Sequence, residues 1–495
     1  MSQTLTELSE LLIPFLTRVA IISLSILHNG LIKGALISLC VFKSYSLFMY
    51  YAFNLKRLTG IDKIFLSHKH KHRYQVIATM SFNNFDIANT FNYVKSQYID
   101  KYSKFKQILV KKVYEYWWRP LSPAEESALN KAPPIKVLPR IHNHRELIAH
   151  IQKEVNTYID IFTSVPYEFS LIPYGDVADN KGIVILKYDH TLTDGLGIVS
   201  ATCASASNYD VNIFPRLMRN IKEDKWYMSI LSWISYPYYV VVSALFILHF
   251  LPYDSPFIPK KITSVTKLAE TEKTYYLKDF ESFRKRKQLS FNELMMGVLS
   301  LAIYKMIYAN KQQRYKGFEY KGKQIRMMFP FGRKKMPEKA ETVNLENLAN
   351  ALFVQVPLIS ELNDKNFKDI QRKVKEMFSK QIKYSYHKTA FTFGDVATFP
   401  LVNWCTQFVC RRFDMAFTNV PGPTVKISYG KSECEEMKCY ISAGYGFSFV
   451  PLLSYDGKFS FSFSADEGSQ VEPKEFIGYI EEAMEDLMVL KDKME

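Results

Sequence analysis

The sequence predicts an α/β fold of two halves attached to a membrane, and three observations predict it. The chain has 495 residues, more than one core usually supports, which implies two sizeable domains or two halves of one enlarged fold. From about Ile61 onward, short apolar runs bounded by glycine and proline alternate with longer stretches of helical spacing. Two further blocks, residues 11–53 and 226–258, are apolar over lengths that suit a bilayer or its interface.

The first block reads LLIPFLTRVAIISLSIL, breaks at His28-Asn29-Gly30, and resumes as LIKGALISLCVFKSYSLFMYYAF. Arg18, Lys33 and Lys43 interrupt it, so spanning and interfacial helices both remain open. Glu7 and Glu10 argue against a cleaved signal peptide, whose first residues are positively charged, and they weaken a mitochondrial transit peptide. The reading is a retained membrane anchor over residues 1–58, with Lys56 and Arg57 just past its apolar end.

The first globular half, residues 59–225, begins with a strand over His68 to Phe82 and a helix over Asn84 to Asp100. A basic stretch KYSKFKQILVKK follows, then Trp117 and Trp118 beside a loop punctuated by Pro120 and Pro123. His144 to Phe162 reads as a helix and EFSLIPY as a strand; after a loop over Gly175 to Asn180 comes GIVILKYDHTLTDGLG, from Gly182 to Gly197. Ile198 to Ser207 continues as a helix of small residues. The crossover, residues 226–262, contains the second apolar block, long enough for one crossing and too short for two. A simple crossing would put the halves on opposite sides of a membrane, so the block is expected to lie in the interface or to dip in and return, bending at Pro237 and Pro252. A buried connector is the alternative.

In the second half, residues 263–495, Lys273 to Phe283 resembles a strand entering a turn. Ser290 to Ala309 is a helix with a capping box of Ser290 and Glu293. The strand QIRMMFPFGRKK, a charged helix from Asn366 to Ser385 and an aromatic segment from Phe391 to Val409 come next. Phe413 to Val420 is a strand ending at Pro421-Gly422-Pro423. Tyr455-Asp456-Gly457 turns a hairpin, and an amphipathic helix over Pro473 to Leu490 closes the chain.

Composition narrows the function. Hydrophobic residues make up 47% and aromatics 15%, which excludes disorder. The net charge of +15 is scattered among acids and carries no nucleic-acid-binding signature, so nucleic acid is not expected as a partner. It suits acidic lipid head groups or a phosphate-bearing co-substrate such as coenzyme A. Six cysteines in so long a chain do not make a disulfide framework. Cys405, Cys410, Cys434 and Cys439 lack the C-x2-C knuckle of structural zinc and read as buried thiols. His68, His70 and His72 share one face of a strand without an accompanying carboxylate or cysteine, so no metal is expected there.

The residues that carry chemistry are in GIVILKYDHTLTDGLG. An apolar strand runs out at His190, and Thr193-Asp194-Gly195 turns the chain. A neutral imidazole at the end of a rigid element is the natural group to take a proton from an attacking alcohol or amine. Asp194 is placed to brace the loop through backbone or an arginine, and Gly195 leaves room for substrate. The pattern is HxxxDG; a satisfied histidine beside an ordinary Asp-Gly turn is the competing reading.

Several segments together resemble the wax ester synthase and diacylglycerol acyltransferase family, part of the chloramphenicol acetyltransferase-like superfamily. They are YDHTLTDGLG, SFNELMMGVLSLAIYKM, QIRMMFPFGRK, LENLANALFVQVPL, FTNVPGP and LLSYDGKFSFSFSAD, in the family's order. The plant acyltransferases that share HxxxDG expect a DFGWG motif, which is absent. The resemblance implies two chloramphenicol acetyltransferase-like halves with mixed sheets and a tunnel between them, besides the N-terminal membrane helices. It makes His190 the catalytic histidine, Asp194 the structural aspartate and Gly195 the glycine after it. Asn292 matches an asparagine of the second half, and Thr418 and Asn419 fall in a segment lining the site. Two positions depart: Asp189 stands where the family has a first histidine, and Glu293 where it has aspartate.

The implied reaction moves a fatty acyl group from acyl-CoA, a co-substrate rather than a bound cofactor, to a long-chain alcohol or diacylglycerol. His190 would act as general base, and Asn419, Thr418 or Asn292 would supply donors to the oxyanion. No G-x-S-x-G motif suggests an acyl-enzyme. The alternative is a catalytically silent relative serving as a lipid-binding or structural subunit of a membrane protein complex. The expected location is a membrane, that of the endoplasmic reticulum, with the mitochondrial inner membrane as the alternative.

Overall fold

Where the sequence runs apolar and β-branched, the chain forms the strands of three sheets. The computed structural model describes residues 44–66, 73–112, 115–214, 254–309, 324–332, 340–383 and 399–493, with the single positions 20, 41 and 315. Its first half supplies β1 (Lys56–Arg57), β2 (Gln75–Asn83), β3 (Gln107–Lys112), β4 (Glu115–Pro120), β5 (Ile135–Val137), β6 (Tyr167–Tyr174) and β7 (Lys181–Asp189). The second half supplies β8 (Thr266–Glu270), β9 (Tyr275–Tyr276), β10 (Gln324–Gly332), β11 (Ala349–Pro357), β12 (Met415–Pro421), β13 (Ser428–Tyr429), β14 (Ser432–Ile441), β15 (Ser448–Tyr455) and β16 (Lys458–Asp466).

The first lobe is built on the order β13-β14-β2-β7-β6-β5 and the second on β11-β10-β12-β15-β16-β8, with β9 paired to β16. Every residue of β7 from Gly182 to Asp189 is buried, which is why this segment reads as a continuous apolar run rather than an alternating one. It lies between β2 and β6, antiparallel to both, with Gln75 opposite Asp189 and Tyr167 opposite Tyr188. In the second sheet β12 runs parallel to both β10 and β15 while its other pairs are antiparallel, so the sheet is mixed.

A parallel pair needs a crossover, and here the chain between β12 and β15 spends it in the other lobe. There β14 pairs antiparallel along β2, from Glu433 opposite Asn83 to Ile441 opposite Val76. The strand covers an edge of β2 that would otherwise leave its N–H and C=O groups open. The half drawn at 263–495 therefore donates the β13–β14 hairpin to the sheet of the half drawn at 59–225.

The helices follow local signals. They are α1 (Gly60–Phe65), α2 (Ile87–Val94), α3 (Pro123–Lys131), α4 (His144–Val155), α5 (Gly195–Ala204), α6 (Glu281–Arg286), α7 (Phe291–Tyr304), α8 (Asp364–Lys383), α9 (Phe399–Cys410) and α10 (Pro473–Asp492). The Ser290 and Glu293 capping box at α7 is present, with Glu293 N to Ser290 Oγ at 3.2 Å and Ser290 N to Glu293 Oε2 at 2.7 Å. Behind it α7 is buried from Glu293 to Ile303 and shares the second core with Met415, Phe417, Phe476 and Ile480. At the hairpin, Asp456 and Gly457 take φ of 48° and 72°, the left-handed pair a tight β-turn requires.

Two expectations change. The helix over His144 to Phe162 stops at Val155, because Asp160 folds the following residues into a turn, accepting from Phe162 N at 3.2 Å and Thr163 Oγ1 at 2.8 Å. Trp117 and Trp118, which the sequence assigns to no element, lie in strand β4, and Lys56 and Arg57 pair with those two residues as β1. With Met49 and Leu55 buried against Trp117, the folded body thus begins before residue 58. Among the described residues no helix is long and apolar enough to cross a membrane, so the expected N-terminal membrane helices find no support there. Most of 11–53 and 226–258, and His68, His70 and His72, lie outside the described residues.

The lobes also meet at a buried charged cluster. Glu270 of β8, its side chain 4% exposed, is 2.9 Å from Lys438 Nζ of β14 and 2.9 Å from His144 Nε2 at the start of α4, and accepts from the Tyr440 hydroxyl. Burial alone raises the Glu270 pKa, but the His144 bond, Lys438 and Tyr440 outweigh it and the net shift is downward. His144 moves upward through the same bond to Glu270.

Candidate active site

Strand β7 delivers the motif to the other seam between the lobes. It ends at Asp189, and the loop is pinned by His190 N to Tyr74 O at 2.8 Å and Leu192 N to Asp189 O at 2.9 Å. Asp194 then starts α5 as its N-cap, with extended backbone and its Oδ1 accepting from Gly197 N at 2.7 Å. Its second oxygen reaches into the other lobe, accepting from Leu348 N at 2.8 Å and Ala349 N at 3.2 Å at the start of β11. Asp194 braces the loop through backbone, and the backbone it grips belongs to the opposite half.

Asn347, one residue earlier and 1% exposed, completes the clamp. Its Nδ2 donates to the His190 carbonyl at 2.9 Å, to the Thr191 carbonyl at 3.2 Å and to Asp62 Oδ1 at 2.7 Å. Asp62, 2% exposed, sits in α1, where its Oδ2 accepts from Thr59 N at 3.0 Å while Thr59 Oγ1 accepts from Asp62 N at 3.1 Å. Sequence reasoning singled out neither residue. The Thr59-to-Asp62 spacing of a capping box would have marked α1, but nothing local connects it to His190.

The His190 ring lies against Phe65 of α1, centroids 3.7 Å apart and planes 19° apart. The residue keeps part of its surface open, yet burial lowers the imidazole pKa, against smaller raising effects of its own carbonyl, Asp194, Asp62 and Asn347. The ring is therefore held neutral, the form that accepts a proton. Asp189, the departure beside it, turns to other neighbours. It accepts from Thr191 N at 3.0 Å and Thr191 Oγ1 at 2.6 Å, and burial raises its pKa against the pull of Arg73.

The remaining candidates gather on β12. A Cβ on Gly195 would lie 3.0 Å from Val420 Cγ2, so α5 and β12 approach as closely as a glycine allows. Strand alternation puts Thr418 on the face of Val420 and Asn419 on the other. On that other face Asn419 Nδ2 donates to Asn292 Oδ1 at 2.7 Å, at the start of α7. The structure thus joins Asn292 to Asn419 and sets Thr418 on the side of Gly195. Glu293, the second departure, serves as the cap of α7. Cys410, in α9, lies 3.3 Å from the Tyr74 hydroxyl and burial pushes its pKa up to about 12; Cys434 and Cys439 of β14 are pushed up to about the same value. These are thiols, not thiolates, and no group of three His, Cys, Asp or Glu residues among the described residues has metal-binding geometry.

Two lobes, one lending a hairpin to the other's sheet, with an HxxxDG loop at their junction, define a chloramphenicol acetyltransferase-like fold. Residues 365–488 match the family model described as WS/DGAT C-terminal domain, so the resemblance to the wax ester synthase/diacylglycerol acyltransferase family holds in sequence for that segment of the second half. Over the whole chain it holds in fold. The wax ester synthase/diacylglycerol acyltransferase from Marinobacter aquaeolei VT8 superposes with a TM-score of 0.58 at 16% identity, covering 88% of this chain and 100% of that one. The trichothecene 15-O-acetyltransferase from Fusarium sporotrichioides gives 0.62 at 11% identity over 88% and 94%. The first condensation domain of the calcium-dependent antibiotic synthetase gives 0.58 at 10% identity over 88% and 96%. No curated protein matches the chain in sequence.

Proposed function

We propose that the protein is an O-acyltransferase that moves a fatty acyl group from acyl-CoA to a long-chain alcohol or diacylglycerol, with His190 as general base. The observation that carries this reading is the His190 loop held at the junction of two lobes, its backbone carbonyl by Asn347 and its Asp194 by Leu348, with an imidazole whose pKa burial lowers. Its Phe65 neighbour covers a face of the imidazole. The ring nitrogen takes the acceptor's hydroxyl proton, the alkoxide attacks the thioester carbonyl, and the imidazolium returns the proton to the leaving CoA thiolate. Thr418, on the face of β12 that meets Gly195, is one candidate oxyanion donor, and Asn419 and Asn292, a bonded pair, are the others. Both substrates would share a tunnel along the seam, which supplies proximity.

Attachment to a membrane belongs to the same proposal, with the endoplasmic reticulum as its site and the mitochondrial inner membrane as the alternative. Leu47, Phe48, Tyr50, Tyr51 and Phe53 are exposed just before the basic pair Lys56 and Arg57, a composition suited to a lipid interface. The direct test supplies radiolabelled acyl-CoA with alcohols and diacylglycerol to wild type and His190→Ala. Ester formation should fall about 10²–10⁴-fold in the variant. Undiminished product in the variant removes His190 from the mechanism, and no product from wild type with any acceptor favours the silent, lipid-binding subunit.

A further inference from the structure

We infer that Asn347 is a positioning residue for His190. Its amide N–H holds the His190 backbone, its side-chain oxygen receives the ring Nδ1–H, and Asp62 fixes the amide from behind. The inference rests on His190 being the base of the reaction proposed above. It starts from two orphaned atoms: among the described residues, His190 Nδ1 and Asn347 Oδ1 are both buried and both without a hydrogen-bond partner. Buried polar atoms are nearly always paired, so two orphans on residues already bonded to each other call for one account.

The orientation of the amide is not free. Three acceptors, the His190 and Thr191 carbonyls and Asp62 Oδ1, surround Nδ2. Flipping the amide would set an oxygen against all three. That leaves Oδ1 as an acceptor in the neighbourhood of the imidazole, where the ring's own backbone carbonyl is the competing one. When Nδ1 carries the proton, Nε2 carries the lone pair, and the base has one defined direction. Besides Asn347, the groups that bias the ring are its own carbonyl, Asp194 and Asp62. The carboxylates Asp194 and Asp62 each have oxygens committed elsewhere, to Gly197, Leu348 and Ala349 and to Thr59 and Asn347 respectively. An amide suits the position better than a carboxylate, because a second buried negative charge beside Asp62 would be repelled.

The arrangement also explains why the base depends on two distant segments. Asn347 lies 157 residues from His190 and Asp62 lies 285 residues from Asn347. The clamp forms only when α1, the His190 loop and the entry to β11 have all docked, so the tautomer reports on closure of the two lobes.

The test reads the ring and the rate separately, on the full chain. Histidine labelled with 15N gives the tautomer and pKa of His190 in wild type, Asn347→Ala and Asp62→Asn, with His190→Ala assigning the signal. Wild type should show the Nδ1–H form. Asn347→Ala should shift the ring toward the Nε2–H form and lower kcat about 30-fold, with KM for acyl-CoA within about twofold. Asp62→Asn, which keeps a capping oxygen, should give a shift of the same sign and a smaller loss, and it carries the test should Asn347→Ala not fold. An Nε2–H ring in wild type, or the same tautomer and pKa in the folded variants, overturns the inference. Should wild type turn over no acyl-CoA, the failure belongs to the proposed reaction, and the spectra still decide the positioning.

Discussion

His190 and His144 both stand where the first lobe meets the second, and their surroundings treat the same side chain in opposite ways. At the His190 seam the contacts across the lobes are to backbone, from Asp194 to Leu348 and Ala349 and from Asn347 to the His190 carbonyl. Burial there dominates and lowers the pKa. At the His144 seam the contacts are among charged side chains, and the Glu270 carboxylate raises the pKa of a histidine that is half exposed. Burial favours the neutral imidazole, the form that accepts a proton, whereas a neighbouring carboxylate favours the charged one. The contrast is one of desolvation against pairing, not of residue type.

The comparison breaks first if His190→Ala leaves ester synthesis unchanged, since the loss expected there, about 10²–10⁴-fold, is the largest effect. Next comes Asp194→Ala, which strips the cap of α5 and leaves the Leu348 and Ala349 amides without their acceptor. It should cost about 3 kcal/mol in urea unfolding and depress activity with it. Gly195→Val drives a branched side chain into Val420, with an expected cost of about 1–3 kcal/mol and a reduced kcat. His144→Ala should leave kcat unchanged and cost less than about 1 kcal/mol, because the exposed side of the pair is screened by solvent.

Acidity sharpens the contrast further. The acid limb of kcat/KM should fall below pH 6.5, since the lowered His190 pKa keeps the base form present to lower pH. In stability the signs oppose. The His144 contribution is complete below 6.5 and fades as pH rises through its raised folded value, while keeping His190 neutral costs stability as pH falls below 6.5 toward its lowered one. A melting series for His144→Ala and His190→Ala across that range should show the two differences growing in opposite directions; parallel curves would sink the account.

Much of this was legible locally. Continuous apolar character announced β7, the Ser290 and Glu293 spacing announced α7, and Asp456-Gly457 announced the hairpin, because each depends on residues a few positions apart. Trp117 and Trp118 were not legible as a strand, since that strand is defined by partners at Lys56, Arg57 and residues of β3. The excursion of β14 into the first sheet was illegible for the same reason: an edge strand's destination is set by which other edge stands open.

The linear chain by itself determined that His190 would sit at the mouth of a buried strand, with Asp194 in the turn beyond it, since burial pattern and turn chemistry act within a few residues of backbone. Only the folded whole decided what surrounds that ring. Phe65, Asp62 and Asn347 reach it from far along the chain, Thr418 and Asn419 are sorted to opposite faces by the pleat of β12, and Asp194 spends its second oxygen on the other lobe. Desolvation and hydrogen bonding are properties of neighbours in space, and the chemistry of an imidazole is set by them.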